Sequence, residues 1–177
     1  MFFSALEQAE SWYNPCMKKL IVFVILFIVL FVSSGQTYEE QTLIPALEKY
    51  LPSEPFKETL SHLQIPYWGT YVSVEERGYY QFVEFLLRKG AHVGMFGLIA
   101  LAVLNLLPKP RVWLAFVITV AIALMDEYHQ SLTGGRTPTT HDVLLDAFGA
   151  LLFLSVWTLW HRRKKKVEKH EHEYAKQ

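Results

Sequence analysis

The stretch GAHVGMFGLIALAVLNLLPKPRVWLAFVITVAIALM, residues 90–125, decides the fold. It contains two apolar runs, residues 90–107 and residues 112–125, separated by Pro108-Lys109-Pro110-Arg111. Proline cannot continue the hydrogen bonding of a helix, so the separating segment predicts a tight turn. An apolar run of about 18 residues approaches the length that crosses a bilayer. The stretch therefore predicts a transmembrane hairpin.

Two further apolar blocks flank this hairpin. The first, residues 20–32, is shorter than the roughly 20 residues of a typical span, and it also matches the apolar region of a cleavable secretory signal. We expect it to be retained as an anchor, because Trp12, Tyr13 and Lys18-Lys19 can lengthen the segment at the interface. The last block, residues 143–160, precedes a run of five basic residues. The sequence thus predicts an all-α polytopic membrane protein with four transmembrane helices, at about residues 18–35, 90–107, 111–128 and 141–160.

The basic residues predict the orientation. Lys18-Lys19, Lys109 with Arg111, and the run Arg162–Lys166 alternate with segments rich in glutamate or glycine. The positive-inside bias then places both termini in the cytoplasm. Arg88, Lys89 and Arg136 fall on the outer side against this bias. We expect anions, either local carboxylates or a ligand, to hold them there.

The remaining segments complete the predicted organisation. We interpret residues 1–17 as a dispensable or misannotated stretch, with Met17 as an alternative start. Residues 18–160 are predicted to form the membrane domain, and residues 161–177 a basic cytoplasmic tail. Between the first two spans, residues 38–50, 54–63 and 79–89 have helical spacing and predict short helices on the outer surface. Glu84 and Arg88 are four residues apart and predict an ordinary helix pair. The expected partners are membrane lipids rather than nucleic acid, because a basic run directly after a span binds anionic lipid.

Ten polar residues gather at or beside the ends of three apolar segments, on the same predicted side of the membrane. Charge in or beside lipid is costly and is usually paired by protein groups, so this cluster is the candidate functional site. Two acidic residues at the end of the third span also oppose the helix dipole and need a partner. The cluster consists of Lys89, His92, Asp126, Glu127, His129, Gln130, Arg136, His141, Asp142 and Asp146.

Within this cluster, Asp142 and Asp146 are the two residues whose charges most need a partner. Thr139 and Asp142 resemble a capping box, but capping cannot explain Asp146, one turn deeper on the same helix face. Like charges at this spacing repel each other, so either one carboxylate is protonated or a cation lies between them. The candidate cations are Arg88, Lys89, His92 and Arg136. Small residues allow helices to approach closely, and Gly90, Gly94 and Gly97 predict such packing on the second span.

The order of these motifs resembles that of the VanZ-like family of bacterial membrane proteins, over residues 18–160. Resistance to the glycopeptide teicoplanin is associated with the family's founding member, so the resemblance implies a cell-envelope role without supplying a reaction. The chain has Asp146 where many members carry Asn, which adds a charge. The motifs are Ser33-Ser34-Gly35-Gln36, Arg88-Lys89-x-x-His92, Asp126-Glu127-x-x-Gln130, Arg136 and Asp142-x-x-x-Asp146-x-x-Gly149.

Three functional hypotheses follow. In the first, an outward-facing site binds or alters a cell-envelope lipid or glycan precursor and affects glycopeptide tolerance. Its catalytic candidates are Lys89, His92, Asp126, Glu127, Asp142 and Asp146, and its ligand-binding candidates are Lys89, Gln130 and Arg136. In the second, the charges form a structural lock between helices. The third, a metal site, is the least favoured, so no metal or cofactor is expected, and whether the chain is an enzyme stays open. That site would use His92, Glu127, His129, His141 and Asp142.

Overall fold

The computed structural model describes residues 15–37, 39–67, 69–133 and 140–174, with side chains described as far as residue 168. These residues are mostly helical, and the elements between the first and second long helices are short. The elements are α1 (Pro15–Ser34), α2 (Ile44–Tyr50), α3 (Lys57–Ser61), β1 (Ile65–Tyr67), β2 (Thr70–Val72), α4 (Val74–Arg77), α5 (Tyr79–Leu106), α6 (Val112–Ser131) and α7 (Thr140–Tyr174).

Within the described residues, four helices are long and apolar enough to cross a membrane, which confirms the predicted fold class. The segment around Pro108 and Pro110 separates α5 from α6, as the sequence predicts. Along these spans many large apolar side chains stay exposed, which suits helices surrounded by lipid. The chain is therefore a multi-pass membrane protein. The candidate spans are Cys16–Ser34, Tyr79–Leu106, Val112–Ser131 and Thr140–Glu168.

Two helices are longer than the predicted spans. Residues 79–89 were expected to form a separate surface helix, and this expectation is wrong, because they continue into the second span as α5. No proline interrupts residues 79–106, so the helical hydrogen bonding has no reason to stop. Helix α7 likewise continues through the basic run to Tyr174, since lysine, arginine and glutamate all favour helices.

The core of the bundle lies between α5 and α7, with α1 and α6 packed against them. A Cβ atom on Gly149 would lie 2.4 Å from the carbonyl oxygen of Val93, so glycine is what allows α7 to approach α5 so closely. Gly97 similarly faces the ring of Phe153. The predicted packing role is therefore confirmed for Gly97 and wrong for Gly90 and Gly94, where a Cβ atom would meet nothing within 4 Å.

A small β-hairpin between α3 and α4 was not predicted. Strands β1 and β2 pair antiparallel, with Ile65 opposite Val72 and Tyr67 opposite Thr70. Gly69 has a φ of 72°, a left-handed conformation that glycine adopts without strain, and it turns the chain between the strands. Val72 packs in a second small core with Phe82 of α5. The hairpin is thereby held against α5, close to the polar cluster.

Glu84 anchors the segment that follows α1. Its side chain is only 1% exposed, and it accepts a hydrogen bond from the backbone N–H of Leu43 at 2.7 Å. Arg88 pairs with the same oxygen at 3.1 Å and also donates to Gln41 at 3.0 Å. The predicted Glu84–Arg88 pair is present, but it does more than an ordinary helix pair, because it ties residues 41–43 to α5.

Candidate functional site

Three helix ends meet at one end of the bundle, which we call the site end. Helix α1 ends there at Ser34, α6 ends just after Gln130, and α7 begins at Thr140. Helix α5 passes the same level at Lys89 and His92, and the β-hairpin lies beside it. Side chains that are far apart in sequence are therefore brought into contact, and they form two groups.

The lysine group consists of Tyr67, Lys89 and Asp142. Lys89 forms a salt bridge with Asp142, and the two side chains are only 19% and 18% exposed. Lys89 also donates to the hydroxyl of Tyr67 at 2.8 Å, and that hydroxyl donates to Asp142 at 2.9 Å. The lysine nitrogen lies 4.7 Å from the centre of the Tyr67 ring, which adds a cation–π contact. This group joins α5, α7 and the hairpin, and it balances the charge of Asp142.

The carboxylate group consists of Ser34, His92, Asp126, Gln130 and Asp146. Nδ1 of His92 lies within hydrogen-bond distance of the Asp146 carboxylate, at 3.2 Å. Asp126 accepts a hydrogen bond from the hydroxyl of Ser34, and it accepts another from the side-chain amide of Gln130 at 2.6 Å. Asp146 is 2% exposed and Asp126 6% exposed, so both carboxylates are largely removed from solvent. Four helices contribute to this group.

Asp142 and Asp146 therefore have separate partners. The sequence required either a shared cation or a protonated carboxylate, and it named Lys89 and His92 among the candidate cations. In the structure Lys89 contacts Asp142 and His92 contacts Asp146. Among the described residues, Lys89 pairs with Asp142, whereas His92 is the cationic partner beside the two buried carboxylates, Asp146 and Asp126.

The carboxylate group also has the donor atoms of a metal site. One potential ligand atom from each of His92, Asp126 and Asp146 lies within 4.8 Å of the others. Across the described ranges, no other set of three or more histidine, cysteine, aspartate or glutamate side chains converges in this way. The five metal ligands predicted from the sequence do not come together, because His92 is the one member of that set in the convergent group.

The other members of the predicted cluster lie around these groups. His129 stacks on Phe31 with ring centres 4.3 Å apart, and within the described part of the chain its Nδ1 atom is buried without a hydrogen-bond partner. Glu127 is half-buried, and His141 is exposed beside Tyr67, at 6.1 Å between ring centres. Arg136 and the proposed Thr139 cap lie outside the described residues.

Two cavities flank the end of α1. The first, of about 420 Å³, lies between α1, α5 and the segment that follows α1. Its lining combines Ser34, Arg88 and His92 with apolar side chains such as Leu30 and Met95. The second, of about 460 Å³, lies between α1 and α6, and it is mostly apolar, with Asp126 and His129 on its wall. Leu30 lines both cavities, so an apolar space and a polar one adjoin at the site end.

Two contributors to the site were absent from the predicted cluster. Tyr67 contacts Asp142 across 75 residues of sequence, and Ser34 contacts Asp126 across 92. Ser34 belongs to the Ser33-Ser34 motif, and Tyr67 lies among aromatic residues of a kind that suits the membrane interface. Neither signal identifies a partner, because such long-range contacts depend on how the helices are rotated against each other.

Comparison with known proteins identifies a family. A family model described as VanZ/LLP1 matches residues 19–161, which is most of the chain and includes every residue of both groups. No curated protein matches. No solved structure matches either.

Proposed function

The chain belongs to the VanZ/LLP1 family, and we propose that it binds an anionic cell-envelope lipid or lipid-linked glycan precursor at the site end. In this proposal the site end faces outward from a bacterial cell membrane and both termini are cytoplasmic. Binding of the precursor would in turn affect tolerance to glycopeptide antibiotics. The residues that hold the ligand come from α1, α5 and α6.

The observation that carries the proposal is the composition of the 420 Å³ cavity. Arg88 and His92 offer nitrogen donors to a phosphate or carboxylate, while Leu30, Leu87 and Met95 provide apolar walls. Binding sites for amphipathic molecules commonly combine a mostly apolar lining with a few polar groups. The neighbouring apolar cavity between α1 and α6 offers space for a hydrocarbon chain. An anionic lipid fits both features.

The contacts refine the roles that the sequence proposed. Lys89 is already paired with Asp142, so its charge reaches a ligand only by exchanging that partner. Arg88 and His92 are paired as well, with Glu84 and Asp146, but both line the cavity and are therefore the leading anion-binding groups. Arg136 and Gln130 remain proposed contributors. Asp126, Glu127, Asp142 and Asp146 remain the proposed acid–base candidates. Among them, Asp146 orients an imidazole that lines the cavity, as general acid–base catalysis would require.

A structural lock is the second candidate function, and the lysine group favours it. Tyr67, Lys89 and Asp142 satisfy one another without a ligand. Partly buried ion pairs of this kind can specify how elements are arranged. In that case the polar residues would serve the fold of the protein, and the cavity would have no ligand of its own.

The two candidates are separated by blocking the cavity without touching any charge. Ala91 lines the cavity and is exposed, so Ala91→Phe fills part of the space. Ala121 is exposed on α6 and makes Ala121→Phe a matched control. The measurement is the amount of lipid-linked cell-wall precursors, with teicoplanin tolerance, in a strain that lacks the chain and is complemented with each variant.

We expect wild type and Ala121→Phe to restore precursor levels, and Ala91→Phe to fail at equal abundance in the membrane. Full restoration by Ala91→Phe would remove the cavity from the function. Lys89→Met provides the second comparison. If it loses function only in proportion to its loss of abundance, the lysine group acts as a lock.

A further inference from the structure

We propose that His92, Asp126 and Asp146 bind one divalent metal ion, with Zn²⁺ or Mn²⁺ as the class that suits the donors. The three side chains come from α5, α6 and α7, so the ion would connect three membrane helices. This inference does not depend on the proposed lipid ligand. It also departs from the expectation drawn from the sequence, which favoured no metal.

The first argument is the geometry of the donor atoms. The three potential ligand atoms lie within 4.8 Å of one another. Metal–ligand bonds of about 2.0–2.2 Å place two ligands on one ion at most about 4.4 Å apart. On a tetrahedral ion this separation is about 3.3–3.6 Å, so side-chain shifts that shorten the longest separation by about 1 Å close the group around an ion.

The second argument is charge. Asp126 and Asp146 bring two carboxylates into a region largely removed from solvent, and His92 adds at most one positive charge. Ser34 and Gln130 donate to Asp126 but are neutral. Lys89 does not neutralise Asp126 or Asp146, because it pairs with Asp142. A divalent ion compensates both carboxylates, and buried carboxylates are strongly destabilising when they are not compensated.

The third argument is orientation and access. Hydrogen bonds from Ser34 and Gln130 fix the Asp126 carboxylate, as partners outside the ligand set usually do in metal sites. His92 lines the 420 Å³ cavity, which gives an ion a route to the group. Three protein ligands leave coordination positions open for water or a phosphate oxygen. Only this last step, phosphate bound to the metal, rests on the proposed function.

The test uses the full chain in nanodiscs after chelator treatment. His170→Gln and His172→Gln are introduced first, so that the tail histidines do not bind the probe. Binding of Zn²⁺ is measured by calorimetry and binding of Mn²⁺ by electron paramagnetic resonance. We expect one saturable site per chain, and Asp146→Asn to weaken it by about tenfold or more. Glu40→Gln is the control, because Glu40 lines the same cavity but lies outside the group; it should change the dissociation constant by less than about threefold.

A second measurement keeps the proposal testable if Asp146→Asn does not fold. Pulsed electron paramagnetic resonance on wild type loaded with Mn²⁺ should detect coupling to one imidazole nitrogen, and His92→Gln should remove it. The proposal is overturned if the folded wild type binds neither ion at millimolar concentration. It is equally overturned if the bound Mn²⁺ shows no nitrogen coupling, or if Asp146→Asn binds as tightly as wild type.

Discussion

Replacing Gly149 with alanine tests how tightly α5 and α7 must pack to assemble the site. The added Cβ atom would lie 2.4 Å from the carbonyl oxygen of Val93 and 2.9 Å from its Cα atom. These are backbone atoms, so no side-chain rotation relieves the clash. The helices must move apart at a position next to His92 and less than one helical turn from Asp146. The change therefore affects both the stability of the bundle and the His92–Asp146 contact.

The size of the effect follows from two opposing terms. Alanine favours a helix over glycine by about 0.5–1 kcal/mol. Overpacking a well-filled interior costs about 1–3 kcal/mol, and here the obstacle is rigid backbone, which favours the upper part of that range. The net expectation is a loss of about 1–2 kcal/mol. For a chain of this size, each kcal/mol shifts the midpoint temperature of thermal unfolding by about 2–4 °C, so the midpoint should fall by about 2–8 °C.

The assay is the temperature at which half of a fluorescently tagged protein leaves the monodisperse peak in gel filtration. Gly94→Ala is the matched control, because a Cβ atom there meets nothing within 4 Å. It should leave the midpoint unchanged or raise it, since only the helix preference of alanine acts. An equal or higher midpoint for Gly149→Ala would show that α5 and α7 do not approach as described.

Three further predictions concern charges and hydrogen bonds at the site end. Lys89→Met and Asp142→Asn should each lower the free energy of unfolding by about 1–3 kcal/mol. A double-mutant cycle, measured by thermal or denaturant unfolding, should give a coupling energy of about 0.5–3 kcal/mol. Additive effects of the two substitutions would show that the side chains do not pair. Glu84→Gln should cost about 1–3 kcal/mol in the same unfolding measurements, because it leaves Arg88 without its buried carboxylate, whereas Glu48→Gln at an exposed site should cost less than about 0.5 kcal/mol. Tyr67→Phe should lower the free energy of unfolding by about 0.5–1.5 kcal/mol, because it removes the hydroxyl that bonds Lys89 and Asp142. An unchanged free energy would show that the hydroxyl does not stabilise the lysine group.

The spans, and the cations that contact Asp142 and Asp146, were predictable from the sequence for clear physical reasons. Apolar run length is set by bilayer thickness, and Pro108 and Pro110 end the helices that they separate. Charges near lipid need partners, so Lys89 and His92 could be named as candidate cations for Asp142 and Asp146 before any contact was known.

The predictions that were wrong concern features that depend on tertiary contacts. Gly90, Gly94 and Gly97 were all predicted to pack, but of the three Gly97 alone faces α7. His129 and His141 were grouped with His92 as metal ligands, yet the rotation of α6 places His129 against Phe31. The hairpin was missed because its strands have only three residues each, too few for a clear alternating pattern.

The most direct test of the proposed function is to identify what the purified protein carries. Wild type, Ala91→Phe and Ala121→Phe would be transferred from native membranes into nanodiscs of neutral lipid, and the retained lipids quantified by mass spectrometry after extraction. The proposal predicts that wild type and Ala121→Phe retain an anionic lipid or lipid-linked precursor, and that Ala91→Phe loses most of it. Equal retention by all three proteins, or retention of no anionic lipid by wild type, would contradict it.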